Sequence, residues 1–468
     1  MTILAAARPI AGGFSRRGAC PALSAPMKTG DGLLVRLNPV AGGLSPDALI
    51  GLCKASEKHG NGIVEVTARG SLQIRGLTAH SAAEFAAAVN KLGIPVRTGV
   101  PVQTGVLAGL DPEEIADPTA IAESIRNGIA RAGLENRLGP KVSVVVDSGG
   151  LTALDEVAAD VRLAAVDSGW LVGIAGEKRS ARPLGLAQND QAAGDVTLTL
   201  LSAIAEMGRE ARGRDVDVER LPDRLQALRP SLPPSGLPAT RVEMAGRPEG
   251  GVKEQRTSLI GLTNLRTNLK ALGIALPFGH TTADRLKTFA EKARSLRIND
   301  IRPAPRRTLV AICGTEATAR ELRKTAEALG FITSADDPTQ SISACPGAPD
   351  CASGHMAARI LAADMAKEHG DFFDGSLHLH VSGCAKGCAH PAASTLTMVG
   401  SERGIGLVAN GTARDEATAF ADRDAAGRAF ANVTRVVSAE RLQGETAAHA
   451  IQRIGLSRLA EAFGKSRT

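Results

Sequence analysis

Two stretches of this chain carry the same order of apolar and polar positions. In the first, LLVRLNP (33–39) alternates as a half-buried strand does. Ser45-Pro46-Asp47 then opens a helix running to about His59, with Ser45 as cap and Pro46 at the first helical position. IVEVTARGSLQIRGL (63–77) predicts a return strand. In the second stretch, LGIALPFG (272–279) is the strand, TTADRLKTFAEKARSL (281–296) the helix, and DIRPAPRRTLVAICG (300–314) the return strand. An offset of 237 sets Val64 on Ile301, Arg69 on Arg306 and Leu72 on Leu309.

The parallel continues downstream of each stretch. GPKVSVVVDSGG (139–150) matches GSLHLHVSGCAKG (375–387), and LAAVDSGWLVGIAG (163–176) matches LTMVGSERGIGLVANG (396–411). Self-similarity on this scale predicts an internally duplicated architecture. The copies are joined by 221–256, rich in Pro, Gly and charge as connecting segments are.

Composition narrows the class. A length of 468 residues suggests two to four domains, and 43% hydrophobic with 22% charged residues is ordinary for a globular protein. No apolar run approaches the roughly 20 residues that span a membrane. In the N-terminal MTILAAARPIAGGFSRRGACP the arginines follow the apolar patch, so a loose arm is expected rather than a secretory signal. Seven cysteines, an odd count, point to a reducing cytoplasm. A net charge of +6 raises nucleic acid as a partner. Only 2% aromatics, no Tyr and a single Trp (Trp170) leave no stacking platform, and no nucleic-acid motif is present. A small polycarboxylate or phosphate ligand fits the charge better.

The chemistry concentrates in four cysteines, Cys345-x5-Cys351 and Cys384-x3-Cys388, within SACPGAPDCASG and VSGCAKGCAHP. Four soft thiolates from two loops can hold a four-iron cluster or a structural zinc. Zinc knuckles are usually closer-spaced, so the wide pair and the surrounding Gly and Pro favour the cluster. Cys20, Cys53 and Cys313 fall outside it. Only the second copy carries the pairs. With neither a G-x-G-x-x-G after a strand nor a Walker loop, electrons are expected from a separate donor, an NADH- or NADPH-linked reductase or a ferredoxin.

The two-copy plan with these cysteines resembles the sirohaem-dependent sulfite and nitrite reductases, over about residues 30–415. Thr67-Ala68-Arg69…Gln73-Ile74-Arg75-Gly76 resembles that family's T-x-R-x-x-x-Q-x-H-G segment. Within the superfamily, RRGACPAL…TGDGLLVRL and GCAKGCAHP are most similar to the precorrin-3B synthases of the aerobic cobalamin pathway. The resemblance implies an α+β fold in which ferredoxin-like half-domains pair by pseudo-two-fold symmetry beside two larger α/β domains. The expected boundaries are 25–95 and 257–314 for the half-domains, 96–220 and 315–468 for the larger domains, the last carrying the cluster. It also implies a 4Fe-4S cluster, a mononuclear non-haem iron, and oxygen-dependent hydroxylation of precorrin-3A at a meso carbon, with lactone formation by a ring acetate. Under the alternative, a sulfite or nitrite reductase, sirohaem would be bound as well. The reductases' Lys-x-Lys pair is here Lys141-Val142-Ser143, and no arginine stands at Val100-Pro101. The cations needed for a small oxyanion are thus depleted, whereas those suited to tetrapyrrole carboxylates remain.

The candidate substrate-binding cations are Arg69 and Arg75, expected on one face of a single strand, with Arg306, Arg302, Arg307 and Lys141. The plain alternative for each is a solvated surface cation. His378 and His380 share a strand face and are candidates for a mononuclear iron or a proton relay. His390, two residues after Cys388, is a candidate donor beside the cluster, and Lys386 a cation between its cysteines. His355 is a poorer candidate. His59, His80, His280, His369 and His449 are expected to be structural or solvent-facing.

Overall fold

The computed structural model describes residues 21–37, 43–96, 99–152, 154–155, 157–220, 225, 228 and 258–464. The expected N-terminal arm, Cys20 and nearly all of the 221–256 connection lie outside these residues.

The first unit comprises β1 (Met27–Thr29), β2 (Gly32–Leu37), α1 (Pro46–His59), β3 (Ile63–Val66), β4 (Leu72–Leu77) and α2 (Ala79–Lys91). The Ser45 side chain accepts from Ala48 N–H, as the cap reading requires. A larger unit follows, with β5 (Val102–Thr104), α3 (Thr119–Arg131), β6 (Val144–Asp147), β7 (Ala159–Val166), β8 (Gly169–Gly176), β9 (Arg182–Ala187) and α4 (Asp190–Glu206). The second small unit has β10 (Gly261–Asn264), β11 (Lys270–Ala275), β12 (His280–Thr282), α5 (Ala283–Ser295), β13 (Asp300–Ala304), β14 (Thr308–Cys313) and α6 (Glu316–Ala328). Its counterpart has β15 (Ile342–Ala344), α7 (Ala358–Glu368), β16 (Leu379–Ser382), β17 (Ser394–Ser401), β18 (Gly404–Gly411), β19 (Ala419–Ala421), α8 (Ala426–Glu440), α9 (Ala447–Ile454) and α10 (Leu456–Gly464).

The sheets repeat the duplication. Strand order is β1-β2-β4-β3-β12 in the first small unit and β10-β11-β14-β13 in the second. The larger sheets run β5-β6-β7-β8-β9 and β15-β16-β17-β18-β19, each with two parallel pairings followed by two antiparallel ones.

The small units exchange strands. Thr281 of β12 pairs with Val64 of β3, and Leu44 pairs with Ile301 of β13. Positions 44 and 281, like 64 and 301, are 237 residues apart, so the two pairings are images of one another. One apolar core spans both units, including Leu49 and Leu52 of α1, Leu286 and Phe289 of α5, and Leu322 of α6. Leu322 thus places α6, beyond residue 314, in the core that the small units share. Neither small unit closes its core alone, which ties their relative orientation to burial.

Each return strand is in fact a hairpin. Thr67 N–H donates to Ser71 O at 2.8 Å and Gly70 N–H to Thr67 O at 2.9 Å, folding the first back between β3 and β4. The second reverses at Arg306 and Arg307, whose φ angles are 60° and 64°. In the first, polar Thr67, Arg69 and Ser71 fall at alternate positions, so the turn continues the strand's alternation and is hidden by it. Arg69 accordingly lies in a turn and does not share a strand face with Arg75.

Candidate functional site

Both cysteine pairs begin at the carboxyl ends of adjacent parallel strands. Cys345 follows β15 directly, and Cys384 follows β16 by one residue. Loops at this end of parallel strands are the usual ligand position in α/β sheets. Cys345 is buried, Cys351 and Cys384 half-buried, and Cys388 exposed. Partial burial pushes the Cys388 thiol above its ordinary value, and the charges of Cys384, Cys345 and Cys351 push the same way, with Lys386 opposing. The four sulfurs therefore share one electrostatic neighbourhood.

The loops are laced together. Gly383 N–H donates to Cys345 Sγ at 3.1 Å, and His355 N–H to Gly383 O at 2.8 Å. Lys386 Nζ bonds Ser353 Oγ at 2.6 Å. A Cβ on Gly383 would stand 2.9 Å from Gly347 Cα, so the backbones meet at a distance only glycine permits. Among the described residues no three His, Cys, Asp or Glu side chains converge as a single ion requires. Four thiols spread over two loops, with an N–H aimed at one sulfur, fit the larger core of a four-iron cluster.

The hairpin tips of the two small units meet beside these loops. Arg69 forms a bridge with Pro305, and Arg306 N–H donates to Ala68 O at 2.9 Å. The side chains of Arg69 and Arg306 are both exposed there. Arg307, next along, donates from Nη2 to Ala389 O at 2.8 Å and from Nη1 to Ser343 Oγ at 3.4 Å. Burial, then the like charge of Arg359, lowers the pKa of Arg307.

Several candidates are committed to the protein itself. Arg75 is 6% exposed. It grips Asp31 through Nε at 2.9 Å and Nη2 at 2.7 Å, and donates to Asp350 O at 3.3 Å. Glu65 lies 3.6 Å from Arg75, binds Arg359 of α7, and accepts from Gln73 at 2.9 Å. Burial raises Glu65, but Arg359 and Arg75 outweigh it and hold the carboxyl below its ordinary value. Arg302 bonds Asp300 and the Val106 carbonyl. Lys141 is exposed in the turn entering β6, at the strand end opposite the one that carries cysteines in the matching sheet.

The three histidines come together. The ring centroid of His390 is 4.3 Å from that of His378 and 5.8 Å from that of His380. His378 uses its two ring nitrogens on Ser343 Oγ and Ser394 Oγ, both at 3.0 Å. His380 is fully buried, and its ring nitrogens have no hydrogen-bond partner among the described residues. Burial, with His390 and Arg307 nearby, pushes His380 down to about 4, so it is neutral near pH 7. With His378 held by serines and no carboxylate converging on them among the described residues, these residues do not fit a preformed mononuclear iron site.

Sequence reasoning did not single out Gly30, Asp31, Glu65, Ser343, Ser353, Ser394 or Arg359. Of these, only the Gly30-Asp31 turn had a signal, the TGDG run before β2. His280, expected to be structural or solvent-facing, is half-buried against Glu65 in β3 and pushed down to about 4 by burial and Arg359.

Residues 25–92 match the nitrite/sulfite reductase ferredoxin-like half domain. The chain superposes on the NirA protein of Mycobacterium tuberculosis with a TM-score of 0.68 at 18% identity, covering 91% of this chain and 84% of that one. That likeness carries the fold alone. A precorrin-3B synthase from Sinorhizobium sp. is 37% identical over 453 residues, 96% of this chain and 95% of the relative. Identity of that extent covers both copies and both cysteine loops: the chain belongs to the precorrin-3B synthase family.

Proposed function

We propose that the chain converts precorrin-3A to precorrin-3B, hydroxylating a meso carbon in an oxygen-dependent step and closing a lactone with a ring acetate. The observation that carries this reading is the convergence of the cysteine loops with the tips bearing Arg69 and Arg306. The thiols that would hold a redox centre thereby adjoin exposed cations on a surface to which both copies contribute.

Cys345, Cys351, Cys384 and Cys388 would hold the 4Fe-4S cluster, which when bound supplies single electrons. Arg69 and Arg306 are suited to pair with ring carboxylates, where a guanidinium makes two directed bonds. Lys386 sets a positive charge between cluster and substrate. His390 would donate a hydrogen bond beside Cys388, and His380 keeps that face uncharged. Arg302 and Lys141 are weaker candidates, the first already paired with Asp300. The resemblance also implies a mononuclear iron at His378 and His380, which a His378 ring held by two serines does not fit.

The ring cleft that holds sirohaem in the reductases would here take a tetrapyrrole substrate. Electrons would come from a separate reductase or ferredoxin. The cytoplasm is the expected location, and no helix among the described residues is long and apolar enough to cross a membrane. The test is an anaerobic visible and EPR spectrum with iron, sulfide and haem quantified, followed by turnover of precorrin-3A with oxygen. Cluster iron and sulfide without sirohaem, and precorrin-3B as product, are expected. Stoichiometric sirohaem in active protein would overturn the reading.

A further inference from the structure

We propose that Arg75 and Arg307 are positioning residues for the cysteine loops, one contributed by each small unit. This rests on the cluster reading above and assigns these two arginines to the cluster rather than to substrate.

The inner cysteines need little help. Cys345 directly follows β15, its N–H lies 3.3 Å from Val381 O, and its sulfur accepts from Gly383. Cys384 follows β16 and inherits the sheet's rigidity. The outer cysteines have no strand beneath them. Cys351 N–H bonds only back into its own loop, to Gly347 O at 2.7 Å, and Cys388 is exposed. A ligand on an unsupported loop is held at the right distance only if something outside the loop fixes its backbone.

Each outer cysteine has such an anchor. Arg75 Nη2 donates to the carbonyl of Asp350, the residue before Cys351. Arg307 Nη2 donates to the carbonyl of Ala389, the residue after Cys388. One guanidinium comes from β4 of the first small unit and the other from the β13–β14 turn of the second. Asp31 fixes the first fork through Nε and Nη2, and Nη2 has a second hydrogen for the loop carbonyl. Gly30, beside it, packs so closely that an added Cβ would stand 2.2 Å from Ala352 N. Ser343 and Ala389 fix the second fork. Neither guanidinium is left facing solvent as a carboxylate receptor would be. Lysine cannot copy this, because one ammonium lacks the planar fork that reaches carboxylate and carbonyl together.

The experiment uses the full-length protein purified without oxygen: wild type, Arg75→Lys, Arg75→Met, Arg307→Lys and Arg307→Met. Arg162→Lys serves as the control, since it disturbs a buried ion pair with Asp147 in the first larger sheet, away from the cysteine loops. Iron and sulfide per chain are measured, then the rate at which an iron chelator bleaches the cluster, the EPR lines of the reduced cluster, and thermal unfolding. Removing outer support of metal ligands typically costs on the order of tenfold in metal retention, so the Met variants should bleach about tenfold faster. The Lys variants should fall between, with altered EPR lines, while Arg162→Lys unfolds more easily but bleaches at the wild-type rate. Wild-type bleaching and EPR lines in all four Arg75 and Arg307 variants would overturn the positioning role and leave the cluster reading standing. Absence of cluster iron and sulfide from the wild type would overturn both.

Discussion

Lys386 Nζ stands 2.6 Å from Ser353 Oγ, joining the second cysteine loop to the first through an exposed contact. Exposed contacts of this kind contribute little to folding. Lys386→Met should change stability by no more than about 0.5 kcal/mol. The charge is another matter, because Lys386 acts electrostatically on Cys388. Removing a cation beside a centre that gains an electron disfavours the reduced form. A redox titration should therefore find a more negative midpoint in Lys386→Met at nearly unchanged unfolding temperature, and an unchanged midpoint would count against a role at the cluster.

Glu65 is buried between Arg75 and Arg359 and joins β3 to the first turn of α7. Replacing it by Gln leaves two guanidiniums without their shared carboxylate. Breaking a buried pair on one side typically costs about 3–5 kcal/mol, and Glu65→Gln should approach that range in denaturant unfolding. The direction of its shift gives a second readout. The folded value lies below the ordinary 4.5, so its stabilisation is present above that pH and is lost as the pH falls through the folded value. Wild-type stability should decline on acidification below about 4.5, and Glu65→Gln should be weaker at neutral pH but flatter in that region.

His280 gives a pH dependence in a higher window. Its neighbours include Arg359, Glu65, Asp350 and Arg75, and its folded value is about 4 against an ordinary 6.5. Between those values the unfolded chain holds the extra proton and the folded chain does not. Stability is therefore full above pH 6.5 and falls as the pH is lowered toward about 4. Denaturant titrations at several pH values across this window should find a shallower slope for His280→Gln than for wild type. Equal slopes would mean the ring is solvated in the folded protein.

What could be read from the sequence was whatever repeats at a fixed spacing. The offset that set Val64 on Ile301 also relates the observed pairings Thr281–Val64 and Leu44–Ile301. The pairings themselves were not legible, because a short exchanged strand has too few positions to show a period. Alternation hid the hairpin tips, and so set Arg69 and Arg75 on one face when they lie in a turn and in a buried ion pair. Charge alone says nothing of partners. Arg69 and Arg75 look alike in sequence, and partners distant along the chain, Asp31 and the Asp350 carbonyl among them, separate the exposed cation from the committed one. His378 and His390 come within 4.3 Å because the second cysteine loop folds back over β16, which is a property of the loop.

The meeting of the hairpin tips can be tested with two glycines that share a backbone conformation and differ in surroundings. Gly62 has φ 72° and Gly70 has φ 76°, both in the left-handed region. A Cβ at Gly62 would meet nothing within 4 Å, whereas one at Gly70 would stand 2.7 Å from the Ala304 carbonyl carbon in the other small unit. Gly62→Ala should therefore cost only the backbone term, roughly 1–2 kcal/mol. Gly70→Ala carries the same term and must also push β13 away from the first tip. Urea unfolding should find Gly70→Ala clearly the less stable of the two. Because Arg306 and Arg307 sit on the displaced turn, it should also lose iron to a chelator faster, whereas Gly62→Ala should not. Equal stabilities and equal iron loss would mean that the tips are not in contact, and the arrangement that brings both copies to the cysteine loops would have to be abandoned.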